Sequence, residues 1–212
     1  RTIEKIFVPT SERDIIVRET LQTELAARLA ESPRAYLNSV GSQMLLFSPT
    51  NYEMGAPRHE KGPRANEFQR SISLTHPFYA ARHEVSQKQY TLFNPAGSIR
   101  GNIDNPVTSV SWLEAAAFCN WLSDRESLKG FYILNQSGYR GVDPSADGYR
   151  LLTEAEWEWL ARRASKPAQT IFTWGDADVV PPMAGNIADE SARGLERFYV
   201  PNYTDNFVGI AP

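Results

Sequence analysis

Apolar positions in this chain follow two rhythms, and the helical one is announced three times by the same polar signature. In Val85-Ser86-Gln87-Lys88-Gln89-Tyr90, Ser86 is placed to cap a helix, and Gln89 can return its side chain to the Ser86 N–H. Val85 and Tyr90 hold the two positions of a hydrophobic staple. Ser111 and Glu114 repeat the cap ahead of a helix over 112–123, with Trp112, Ala115, Cys119 and Leu122 on one face. Thr153 and Glu156 repeat it again after Gly148-Tyr149-Arg150-Leu151-Leu152. There Trp157, Leu160, Ala161 and Ala164 recur at helical spacing, with Leu152 as the staple partner of Trp157. Trp159 falls off that face, and Glu158 pairs with Arg162 one turn on. A further helix is expected over 10–31, capped by Ser11, lined by Leu21, Leu25 and Leu29, and ended by Ser32-Pro33.

The second rhythm is strand-like. Gly41 to Pro49 encloses a short apolar run between breakers. Ile72 and Leu74 alternate with Ser71, Ser73 and Thr75, and Phe78-Tyr79 follows. Segments 56–67 and 94–109 read as loops, and 129–148 as a series of turns. Beyond Phe172-Thr173-Trp174-Gly175 the chain is mostly irregular. Irregular runs of that length inside a domain are usually functional or ligand-stabilised. The expected organisation is a helical connector over 1–39 from a preceding region, then one domain over 40–212.

Composition narrows the partners. Charged residues make up 22% of the 212 residues and the net charge is -3, with Lys and Arg scattered, which argues against a nucleic-acid partner. No apolar run approaches the ~18 residues of a membrane span. One Cys excludes an internal disulfide framework. Arg1 is not an initiator Met, so the chain is expected to be a piece of a longer protein.

Six segments, taken in order, carry a family likeness. They are Tyr52-Glu53-Met54-Gly55, His83 to Tyr90, Pro106 to Trp112, Ala117 to Leu122, Gly148 to Trp159, and Phe172 to Gly175. Together they resemble the formylglycine-generating enzyme, or sulfatase-modifying factor, family over residues 40–212. The resemblance implies an α+β, C-type-lectin-like fold rich in irregular structure, here with an N-terminal helix. Leu152 stands where the family usually has Pro. Active members of the family bind copper on a cysteine pair in the C-terminal part and use O2 to oxidise a sulfatase Cys to formylglycine. Neither that pair nor the accompanying Gly-Asn-x-x-Glu-Trp segment is among these residues, so the domain is expected to be incomplete at its C-terminus.

The resemblance also implies structural calcium. Gly185-Asn186-Ile187 and Thr204-Asp205-Asn206-Phe207 match a family site in which Asn186 and Asp205 offer side chains and Ile187 and Phe207 offer carbonyls. Hard oxygens at flexible geometry suit Ca2+. The same Asn and Asp also suit ordinary turn capping, and Asp189 and Glu190 nearby would add ligands or be solvated. No catalytic or cofactor-binding residue is assigned. Cys119 falls on an apolar helical face and reads as core, and His59, His76 and His83 match no metal spacing. The expected role is a non-catalytic binding or scaffold member with a protein or peptide partner, in a larger assembly and in a bacterial extracytoplasmic setting. The alternatives are the copper-dependent oxidase, with cysteines beyond Pro212, and an iron-dependent sulfoxide synthase.

Overall fold

The computed structural model describes residues 32–57, 60, 67–97, 99–164, 166–196, 198–207 and 209–211. The helix expected over 10–31 and His59 lie outside the described residues. One compact unit begins at Ala35.

Three small antiparallel sheets form its β part. The first runs in the order β1 (Ala35–Leu37), β2 (Gln43–Phe47), β5 (Phe78–Ala81), with Tyr36 opposite Met44 and Leu45 opposite Ala80. Asn38 closes the first turn: its side-chain oxygen accepts from the Val40 and Ser42 amides at 3.2 and 2.8 Å, and Gly41 supplies the positive φ of 80°. The second sheet pairs β3 (Tyr52–Met54) with β4 (Arg70–Ile72), and the third pairs β6 (Tyr132–Asn135) with β7 (Gly138–Val142). Among the described residues three helices accompany them: α1 (Gln87–Thr91), α2 (Trp112–Arg125) and α3 (Glu154–Arg162). All three capping boxes are complete, with both the cap-to-N3 and the return hydrogen bond made.

The core lies between helices and sheets. Phe118 and Leu122 of α2 pack with Val40 and Tyr90, and Val85 joins them as the staple requires. On its other side α2 sets Ala116 and Cys119 against Tyr132 of β6. Trp159 of α3 packs on Tyr52 and Met54 of β3, edge-on to Phe47 at 6.2 Å. Arg162 ties α3 to its surroundings. Its guanidinium pairs with Glu158 and Glu60 at 3.2 Å each and donates to the Gly55 and Thr170 carbonyls. Gly148 brings the segment before α3 against α2. A Cβ there would collide with the Lys129 carbonyl and the Ser123 side chain, and the Tyr149 amide donates to the Ser123 hydroxyl at 2.8 Å.

Three sequence expectations change. The face of α3 is shifted: Leu160 and Ala164 pack inward as expected, but Trp157 is 63% exposed, whereas Trp159 is 6% exposed. The reason is Glu156, which Arg150 draws inward by two bonds of 2.7 and 2.6 Å; this turns Ala155, Trp159 and Leu160 onto β3 and leaves Trp157 outside. Trp112 is 48% exposed, because it rests edge-on against Tyr132 and Tyr139 of the hairpin rather than entering the core. The hairpin itself replaces the turns expected within 129–148. Its connecting residues, Gln136 and Ser137, lack an Asn-Gly or Asp-Gly signal; Asn135 makes the turn by accepting from the Ser137 amide, with Gly138 at φ 101°.

Candidate functional site

The described residues within 183–211 carry almost no regular structure, so side chains must order them. Tyr203 does most of this. It is buried, its hydroxyl donates to the Gly185 carbonyl at 2.7 Å, and its own carbonyl accepts from the Glu190 amide at 3.1 Å. Asp189, 1% exposed, is the second anchor. It caps the 3-10 turn Glu190–Ala192 by accepting from the Ser191 amide and hydroxyl, and its other oxygen accepts from the Asp205 amide at 2.9 Å. These bonds, that of the Ser191 hydroxyl above all, hold the Asp189 carboxyl below its ordinary range. Sequence reading missed Tyr203 and left the role of Asp189 open. The signal available was only an aromatic residue inside a polar run.

The two segments expected to resemble the family's calcium site meet on this frame. The Ile187 amide donates to Asp205 Oδ2 at 2.9 Å, which places Asn186-Ile187 beside the Asp205 loop. Asp205 Oδ1 accepts from the Phe207 amide at 2.8 Å, so the loop closes on its own carboxylate, with Asn206 at φ 71°. Asn186 Nδ2 donates to the Gly209 carbonyl at 2.8 Å, which fixes the amide and frees its oxygen. Among the described residues, no hydrogen bond uses Asn186 Oδ1 or the Ile187 and Phe207 carbonyls. These oxygens, with the spare lone pairs of Asp205, are the donor chemistry that calcium takes. Asn186, Ile187, Asp205 and Phe207 thus offer oxygens of the type calcium takes. Asp189 faces the same frame with its oxygens committed to amides and a hydroxyl, and Glu190 Oε1 accepts from the Asn202 amide.

Redox chemistry has less to work with. Cys119 is buried on α2, and burial pushes its thiol up to about 11. His76 and His83 are exposed, and no three His, Cys, Asp or Glu side chains among the described residues gather as a metal cluster. The three glutamates of α3 are structural. Glu154 lies 3.9 Å from Arg70, Glu156 completes the cap, and Glu158 accepts from the Gly55 amide and pairs with Arg162.

The sequence model of the sulfatase-modifying factor enzyme 1-like domain matches residues 31–205. The chain belongs to the sulfatase-modifying factor family. Its small sheets, short helices and long irregular loops are that family's α+β, C-type-lectin-like fold. A relative from Paenibacillus barcinonensis, named chaperone protein LppX, is 30% identical over 123 residues, which is 50% of this chain and 43% of that protein. The chain thus spans less than half the length of this curated relative. Among solved structures, Treponema denticola variable protein 1 is 24% identical with a TM-score of 0.49, covering 61% of this chain and 57% of its own. CarF is 24% identical with a TM-score of 0.43, covering 60% and 58%. PvdO from Pseudomonas aeruginosa is 16% identical with a TM-score of 0.40, covering 57% and 59%.

Proposed function

We propose that the part of the sulfatase-modifying factor domain carried by these residues acts as a non-catalytic binding or scaffold module, with a structural calcium ion holding the 186–207 loops; cysteines beyond Pro212 would make the whole protein an oxidase instead. The observation that carries the reading is the state of its one cysteine. The family's oxidase chemistry needs two thiolates on copper, and Cys119 is a core residue whose thiol is driven away from the thiolate form. The unused oxygens of Asn186, Ile187 and Phe207 around Asp205 support the calcium part. The name of the Paenibacillus relative, a chaperone protein, favours a role in binding another protein or peptide. A bacterial, extracytoplasmic setting and membership of a larger assembly accord with this reading, since calcium is plentiful outside the cytoplasm. The described residues contain no helix long and apolar enough to cross a membrane.

The test is chemical. A sulfatase-derived cysteine peptide is incubated with this chain, copper(I) and O2, and its mass is measured. Recovery of the peptide with its thiol intact is expected; conversion of the cysteine to the aldehyde overturns the reading.

A further inference from the structure

A cleft of about 250 Å³ opens beside α1, lined by none of the residues of the calcium loops. That volume is roughly eight waters' worth, the scale of a small metabolite rather than of a protein segment. Tyr90 lines it and is 7% exposed, with its ring held at 5.5 and 5.6 Å from Phe93 and Phe118. Among the described residues, no hydrogen bond uses the Tyr90 hydroxyl, which lies at the cleft wall within reach of solvent and so is open to a ligand. Glu114 lines the same cleft.

Arg100 is the other charged residue of the lining. Its backbone is fixed by buried Gln87, whose amide accepts from the Arg100 N–H at 2.6 Å and donates to the Arg100 carbonyl at 2.8 Å. Its guanidinium makes no ion pair among the described residues. Ser109, also in the lining, is held at φ 59°, a left-handed conformation that is disfavoured in a non-glycine residue and recurs at ligand sites. Glu114 Oε2 is taken by the Ser111 cap at 2.8 and 2.6 Å, which leaves its second oxygen for another donor.

One cation and one carboxylate in a small cleft select the ligand by sign. A purely anionic ligand meets Glu114, a purely cationic one meets Arg100, and an apolar one leaves both desolvated. We propose that this cleft binds a small zwitterion of the free α-amino-acid class. Arg100 takes the carboxylate, Glu114 and the Tyr90 hydroxyl take the ammonium group, and Ile99 and Val107 flank an apolar side chain. This site does not depend on the calcium reading or on the binding-module reading.

The experiment is an NMR titration of the full chain with the free amino acids, followed by L-leucine, N-acetyl-L-leucine and L-leucine amide. Saturable shifts confined to 87–100 and 107–114 are expected with an amino acid. Blocking either terminus should weaken binding about tenfold or more, the scale of one lost charged hydrogen bond. Tyr90→Phe keeps the core ring, and Arg100→Gln changes an exposed side chain; each should weaken binding by a similar factor with the melting temperature held. The proposal is overturned if no amino acid gives saturable shifts there, if the blocked forms bind equally well, or if both variants bind as the parent does.

Discussion

Single residues decide which surfaces of this chain are core. Of the two indoles on α3, only Trp159 is buried, and its Nε1–H has no hydrogen-bond partner among the described residues. A buried donor left unmade costs about 1–3 kcal/mol, which the ring's contacts with Tyr52, Met54 and Phe47 must exceed. The expected result is an asymmetry between two substitutions. Trp159→Phe keeps an aromatic ring in place and removes the orphan donor, so it should cost under about 1.5 kcal/mol. Trp159→Ala should cost about 3–5 kcal/mol by opening a cavity. Urea denaturation measures both, and equal losses would contradict this account of the packing.

At the scale of the element, polar signatures were more legible than apolar faces. Ser86, Ser111 and Thr153 announced their helices correctly because a capping box is local: donor, acceptor and return partner lie within four residues. The face of α3 was misread because a non-local pair decides it. Arg150 precedes the helix and pulls Glu156 inward, which no periodicity count within the helix contains. The 132–142 hairpin was missed for a related reason, since its turn is made by the Asn135 side chain rather than by a familiar dipeptide. The Arg150–Glu156 pair also has a pH signature. Burial by itself would raise the Glu156 carboxyl, but the Arg150 bonds and the Thr153 amide outweigh it and hold the group below its ordinary value. A carboxyl depressed in the folded state contributes stability above its ordinary titration range, near about pH 4.3, and loses it as pH falls through the folded value. Glu156→Gln should lower stability at neutral pH by about 1–3 kcal/mol and flatten the acid limb of the stability–pH curve. A parallel downward displacement of the whole curve would remove Glu156 from the account.

For the whole molecule, the fold was legible and much of the site was not. Six short segments in order pointed to the sulfatase-modifying factor family, and the match over residues 31–205 establishes it. The Asn186 and Asp205 segments were legible as a pair, and the Ile187–Asp205 bond brings them together. What the sequence did not reveal is the frame beneath them. Tyr203 and Asp189 act through contacts that run 13 to 18 residues along an irregular chain, where no period marks them. If calcium completes this frame, EDTA should lower the melting temperature, excess Ca2+ should restore it, and Asp205→Asn should abolish the difference. The same melting temperature with and without EDTA would remove calcium from the account. The wider claim is that the chemistry of the family's oxidases is not carried by these residues. It is tested most directly by copper(I) competition against a coloured chelator. Because one buried thiol is the sole cysteine, this chain is predicted to take no copper(I) from the chelator. Stoichiometric transfer that is lost in Cys119→Ser would contradict it.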